Sequence, residues 1–322
     1  FLKDKRMFAY EKDGEPNVLL QFACFNNKCI VMGDPSGKKE DFPEAIEAFI
    51  EETDRLCYLP VFYETSEEIV MILHEFGYDF IKMGEEAYVD LNSFTTSGKK
   101  MKGTRAVLNR IEREGFTFDV LQPPFSTEQM STFKNISGNW LGSRKEKGFS
   151  LGFFSEDYLQ RAPIAVVKNT QEEIVAFATI MPTYTNNKVG TIDLMRYDSK
   201  KAPSGSMDFL FLHLFAYMKE EHIQWFNLGM APLSNVGTSR KSFLQERIAY
   251  LVYEFGSHFY SFHGLREYKS KYATNWVSRY TLYSRDSWIA YVMIALLIID
   301  NAPVEQTQGR ISGLKKWIRR KY

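Results

Sequence analysis

Apolar and polar positions alternate over residues 6–12, 18–25 and 28–33, which predicts three strands before the period changes. From 42 to 56 the apolar side chains Phe42, Ala45, Ile46 and Phe49 recur at helical spacing. A buried run, YLPVFY at 58–63, then predicts a strand, and 66–76 a second helix. Two further strands are expected at 78–83 and 87–91, parted by Gly84, Glu85 and Glu86. This β-β-β-α-β-α-β order describes an α/β unit. The second half restates it, with strands at 164–168, 174–182 and 188–197, a helix at 206–221, a strand at 223–228, a helix at 240–255 and a strand at 279–283.

Laid over each other at an offset of about 160 residues, the halves match in detail. Asn26, Asn27 and Lys28 fall on Asn186, Asn187 and Lys188, where Asn supplies the positive φ of a tight turn. The helix from Phe42 falls on the helix from Ser206, and YLPVFY on IQWFNL. The chain therefore reads as an α/β tandem duplication with mixed sheets flanked by helices. Residues 1–98 form the first copy, 99–115 a basic connecting helix, 116–309 the second copy, and 310–322 a tail.

Composition adds little until it is divided by copy. At 44% apolar and 15% aromatic, the chain can bury large cores, which excludes a disordered or disulfide-scaffold class. Cys24, Cys29 and Cys57 match no zinc spacing and read as buried, reduced thiols. The net charge is zero over the whole chain, yet residues 1–98 carry 9 basic and 20 acidic side chains, so the remainder is as basic as the first copy is acidic. Such segregation points to an anionic partner for the second copy. The abrupt start, FLKDKRMFAY, is no signal peptide and reads as the beginning of a fragment.

The longest apolar run, WIAYVMIALLII at 288–299, is too short to span a bilayer, which takes roughly 20 residues. A core helix or a helix grazing lipid remains, with Trp288 at its start. In the tail, Ile311, Leu314, Trp317 and Ile318 recur at helical spacing opposite Lys315, Lys316, Arg319 and Arg320, the pattern of an interfacial helix on anionic lipid. The joint between the copies is basic too, with Lys99, Lys100, Lys102, Arg105, Arg110 and Arg113 on a solvated face or on phosphate.

Two segments could carry chemistry. In TIDLMRYD, Asp193 and Arg196 interrupt an apolar strand and would face opposite sides unless a bulge intervenes; each needs a partner or a cleft. The following turn, SKKAPSGSMDF, offers Lys200, Lys201, Gly205 and a helix start as a loose anion cradle, without a Walker or G-x-G-x-x-G pattern. In FHGLREYKSKYATNW, the cations Arg266, Lys269 and Lys271 lie between aromatics including Tyr268, which suits phosphate plus an organic group, and Glu254 lies upstream as a second acid.

Taken together, KGTRAVLNRIEREGF, IDLMRYD followed by MDFLF, FNLGMAPLS and FYSFHGLREYKSKYATNW resemble the soluble C-terminal domain of the aminoacyl-phosphatidylglycerol synthases, the multiple peptide resistance factor family, nearest its lysyl-transferring branch. The resemblance spans essentially the whole chain. It implies two tandem GNAT-like, that is acetyltransferase-type, folds, preceded in full-length members by an integral-membrane flippase region. It implies transfer of lysine from lysyl-tRNA to a glycerol hydroxyl of phosphatidylglycerol at the cytoplasmic face of the membrane, giving resistance to cationic antimicrobial peptides. No cofactor is implied, since aminoacyl-tRNA is a co-substrate. The acetyl-CoA pyrophosphate loop is missing where SKKAPSGSMDF stands. The resemblance makes Asp193, Arg196, Lys269 and Glu254 catalytic, and Arg266, Lys271, Asp208 and Tyr268 substrate contacts. It sets the basic joint beside the tRNA and Trp288 with the tail beside lipid. Two other readings stay open: a Fem-type peptidoglycan aminoacyltransferase, and a non-catalytic tRNA- or membrane-binding module.

Overall fold

A computed structural model describes residues 2–182, 184, 188–237, 241–244, 246–247 and 262–301. Most of the helix expected at 240–255, with Glu254, and the tail with Lys315, Lys316, Trp317, Arg319 and Arg320 lie outside the described residues. The first copy comprises β1 (Arg6–Lys12), β2 (Glu15–Phe25), β3 (Lys28–Met32), the short β4 (Ser36–Gly37), α1 (Phe42–Arg55), β5 (Leu59–Thr65), α2 (Glu67–Glu75) and β6 (Tyr78–Asp90). Then come α3 (Lys102–Arg113), β7 (Thr117–Leu121), α4 (Thr127–Leu141), the one-turn α5 (Glu156–Leu159), β8 (Ile164–Lys168), β9 (Ile174–Ile180) and β10 (Val189–Tyr197). The chain continues through α6 (Ser206–Glu220), β11 (Trp225–Pro232), α7 (Phe262–Ser270), β12 (Asn275–Ser284) and α8 (Ile289–Asn301).

Each copy runs antiparallel strands into one parallel pair, β3 with β5 and β10 with β11, and crosses over through α1 or α6 as a parallel pair requires. The strands join one sheet in the order β1-β2-β3-β5-β12-β6-β11-β10-β9-β8-β7, with β4 on β2. The copies therefore exchange their last strands. β6 leaves the first copy to pair with β11, and β12 leaves the second to pair with β5. The two travellers pair with each other along the whole of β12. The duplicated α/β arrangement expected from the repeat is present, joined through its middle.

Alternation explains the burial. In β2, Val18, Leu20 and Phe22 point inward, onto Phe42, Ile46 and Phe49 of α1 and Leu73 of α2. On α6, Phe209, Leu212, Phe215 and their neighbours pack on β8, β9 and β11. The opposite side of the second copy is covered by α4, which a capping box starts: Ser126 Oγ accepts from Gln129 N at 3.1 Å and Gln129 Oε1 from Ser126 N at 2.9 Å.

Three expectations change. Residues 78–90 form one continuous strand through Gly84, Glu85 and Glu86, because a neighbouring strand comes so close that a Cβ at Gly84 would press into the Ala231 carbonyl, and because both acids find partners. The apolar run after Trp288 is both core and surface. Ile289, Val292, Met293, Leu296 and Ile299 are buried, whereas Trp288 (60% exposed), Tyr291, Ile294 and Ile298 face out. Among the described residues no helix is long and apolar enough to cross a membrane. Finally, the cysteines are free as expected, but only Cys29 is buried; Cys24 is half-buried and Cys57 exposed.

Candidate active site between two diverging strands

The parallel pairing of β10 with β11 stops at Thr191 and Asn227, and beyond that level both strands bulge outward onto other partners. On β10 the register against β9 slips between Ile192 and Met195. The extra residue turns Asp193 onto the same face as Leu194 and Arg196, so strict alternation does not hold there. On β11 the slip lies between Asn227 and Met230, with Gly229 at a φ of 80°. Adjacent strands that bulge away from each other leave a gap, with Asp193 on one lip and the Met230 carbonyl on the other.

Asp193 is set by two hydrogen bonds. Its Oδ2 accepts a 2.7 Å hydrogen bond from Tyr158 Oη, which itself lies 3.3 Å from Thr179 Oγ1. The Gly152 backbone N–H also donates to the carboxylate, at a closeness only glycine permits, since a Cβ there would collide with it. Burial pushes this carboxyl above the ordinary Asp range, opposed by the Tyr158 hydrogen bond and by nearby Lys5.

Lys269 approaches the other lip from α7. Its Nζ donates to the Met230 carbonyl at 2.8 Å. Burial lowers its pKa to about 8, against the pull of Glu64 and Glu86. Glu64 itself is pushed up to about 8 by burial, with Glu86 and Asp300 adding to the effect, and it sits in a strand at a φ of 61°. Burial likewise raises Asp300 to about 6, against hydrogen bonds from Ser150 and the charges of Lys147 and Lys5. The segment around 148–152 ties these groups together: Ser150 Oγ donates to Asp300 at 2.8 Å, Phe149 N to Asp4 at 2.8 Å, and Gly152 reaches Asp193. A polar interior thus runs from Asp193 past Lys5 and Asp300 to Glu64 and Lys269.

Other expected residues take different places. Arg196, expected to pair with Asp193 or a lipid phosphate, is 5% exposed; it donates to Glu146 at 2.7 Å and stacks 3.9 Å over Trp140. Glu146 in turn accepts from Phe154 N at 3.3 Å, so Arg196 folds the segment that carries Gly152. The cations of α7, and Lys271 just after it, are not gathered at one point, because each helical residue turns about 100°. Arg266 goes to Glu85 at 3.0 Å and over Trp276, Lys269 inward, and Lys271 to Asp208 at 3.5 Å and over the Tyr268 ring. Asp208 also accepts from Tyr272, so Asp208, Tyr268 and Lys271 form one aromatic-polar patch joining α6 and α7. The anion cradle at 198–205 is filled internally, since Asp198 accepts from the backbone of Lys200 at 2.8 Å and Lys201 at 3.3 Å, and Lys201 pairs with Glu173.

The basic joint divides as well. Lys99, Lys100, Lys102 and Arg113 are exposed. Arg105 caps the carbonyls of Thr96 and Gly98, and Arg110 donates to the Ser204 carbonyl, so these two hold loops. Sequence reasoning missed Tyr158, Gly152, Glu64, Glu86, Asn227 and Arg279. A glycine inside the strand-like run FNLGMAP and paired acids inside KMGEEAYV were the available signals of a bulge and a buried polar site.

Residues 1–283 match the family model described as phosphatidylglycerol lysyltransferase, C-terminal. The chain is 48% identical over 293 residues to phosphatidylglycerol lysyltransferase of Bacillus subtilis (strain 168), covering 91% of this chain and 34% of that protein. It is 41% identical over 284 residues to the enzyme of the same name from Staphylococcus aureus (strain MRSA252), covering 88% of this chain and 33% of that protein. The chain thus spans about a third of the length of the curated relatives it matches. Among solved structures, L-PGS from Bacillus licheniformis superposes with a TM-score of 0.82 at 49% identity, over 93% of this chain and 90% of that one.

Proposed function

Because the chain belongs to the phosphatidylglycerol lysyltransferase C-terminal family, we propose that it transfers the lysyl group of lysyl-tRNA to a glycerol hydroxyl of phosphatidylglycerol at the cytoplasmic face of the membrane. One observation carries the chemistry: the gap between β10 and β11 has a half-buried acid, Asp193, on one lip and a half-buried cation, Lys269, on the other. The acceptor hydroxyl lies at Asp193 and attacks the lysyl ester carbonyl carbon. Its proton passes to the carboxylate as the new C–O bond forms. Lys269, with a pKa of about 8, is mostly ammonium at neutral pH and stabilises the oxyanion of the tetrahedral intermediate. Collapse breaks the bond to the ribose oxygen of the terminal adenosine, which takes the proton back from Asp193. One ester replaces another, so no redox step or nucleotide hydrolysis is needed, and no cofactor takes part. Burial brings the acid nearer the working pH, where general acid–base assistance contributes about 10² to 10⁴-fold.

Placement of the substrates follows from the surfaces. The exposed cations Lys99, Lys100, Lys102 and Arg113 suit the tRNA backbone. The outward face of α8, with Trp288 and Tyr291, suits the lipid headgroup boundary, and the basic tail follows it in sequence. Incubation of the chain with radiolabelled lysyl-tRNA and phosphatidylglycerol vesicles tests the reading. Label is expected in the organic phase; label that stays wholly in the aqueous phase sinks it.

A further inference from the structure

Lys269 projects from α7, yet its ammonium is located by a different element, the bulge in β11 whose Met230 carbonyl accepts it at 2.8 Å. That bulge is closed by Asn227, whose Oδ1 accepts from Gly229 N at 2.7 Å. With its oxygen so engaged, the amide turns its two nitrogen-bound hydrogens the other way, where an acceptor fixes its orientation. The acceptor is Glu86, whose Oε1 takes Asn227 Nδ2 at 2.6 Å. The other carboxylate oxygen of Glu86 accepts from Arg279 Nε at 2.7 Å and Tyr88 Oη at 2.9 Å, so the side chain is held from three sides. Glu86 stands on β6, the strand the first copy lends to the second.

We propose that Glu86 is the positioning residue for Lys269, acting through Asn227 and the β11 bulge. The first copy thereby supplies part of the working site. Glu86 has a second influence, through space. Among the described residues the titratable acids facing Lys269 are Glu86 from β6 and Glu64 from β5, the latter holding its proton up to about pH 8, with Arg279 of β12 beside Glu86. Each favours the ammonium form when ionised, so below about pH 8 the pull comes mainly from Glu86. This inference rests on the reading of Lys269 as the group that faces the reacting ester.

Glu86→Gln keeps the shape and removes the charge. With folding verified by circular dichroism, kcat for lysyl transfer is expected to fall on the order of 10- to 100-fold, the scale of a misplaced catalytic group, with KM for lysyl-tRNA little changed. Loss of the charge lowers the Lys269 pKa further, so the alkaline limb of the pH–rate profile moves to lower pH. Asn227→Ala cuts the link but leaves the charge, and is expected to lower kcat without moving the limb. Wild-type kcat in Asn227→Ala, or a folded Glu86→Gln with wild-type kcat and an unmoved limb, overturns the proposal. Lys269→Ala run alongside separates the two readings: full activity there removes the role of Lys269 itself, and with it this proposal, whereas an inactive Lys269→Ala beside unaffected Glu86→Gln and Asn227→Ala removes only the positioning role.

Discussion

The two parallel strand pairs come from the same repeat and end differently. In the first copy β3 and β5 pair from Lys28 with Leu59 to Met32 with Tyr63, and Gly33 N then donates to the Tyr63 carbonyl at 2.8 Å, so the sheet stays closed. In the second copy β10 and β11 pair only from Val189 with Trp225 to Thr191 with Asn227. Both inner strands bulge: β5 between Phe62 and Thr65 against β12, and β11 between Asn227 and Met230 against β6. Both bulges contain a left-handed residue, Glu64 at 61° and Gly229 at 80°. What sets the second copy apart is the additional bulge on the outer strand at Asp193. One bulge bends a strand. Two facing bulges part a pair, and the gap separates an acid from a cation by a distance the chain, not the solvent, decides.

The largest expected effect on this contrast comes from closing the gap's acidic lip. Gly152→Ala puts a methyl where the Asp193 carboxylate lies, and lysyl transfer is expected to drop about 100-fold, as misplacement near 1 Å does. A thermal melt close to that of the unmodified chain would locate the loss in the site, whereas unchanged kcat would show that Asp193 need not sit there. A smaller effect comes from the paired bulges. Gly229→Ala forces a Cβ into left-handed backbone and is expected to cost about 1–2 kcal/mol, read as a lower denaturant midpoint. Glu64→Gly relieves the same strain in the other copy and is expected to raise the midpoint. If both shift the midpoint the same way, the bulges are not equivalent.

The smallest effect is a change of slope with pH. Because the folded-state pKa of Glu64 is raised to about 8, between its unfolded value and pH 8 the native chain holds a proton that the unfolded chain has lost. Stability from this group therefore falls as pH rises through that window, with the full penalty present above it. Glu64→Gln is expected to flatten the decline of melting temperature between about pH 5 and pH 8. An unaltered slope in the variant would mean that Glu64 is not a proton-holding acid in the folded chain.

Much of the framework was legible from periodicity. β1 and β8 have the bounds expected for them, and α1, α2 and α6 lie within a residue or so of theirs, because their apolar spacing decides which face is buried. The elements β7, α4, α5 and α7 were not anticipated, although Ser126 and Gln129 of α4 carry a capping-box spacing. In the site, Asp193 stood out as a charge in an apolar strand, and Lys269 as one of three cations set between aromatics. Arg196 stood out for the same reason and proved to serve Glu146, since a strand pattern shows that a charge needs a partner without showing which one it gets.

Apolar spacing, turn residues and internal likeness were enough to establish two α/β copies, the crossover helix of each and the opposite charge of the halves. They could not establish that β6 and β12 change places, that KMGEEAYV runs unbroken through the seam, or that Glu86 of an acidic, seemingly idle copy meets Asn227 and Arg279 of the other. Strand exchange leaves the hydrophobic period of each strand intact, because that period records which face is covered and not which strand lies alongside. The choice is made by long-range pairing and by bulges that displace one residue. Both are properties of the assembled sheet.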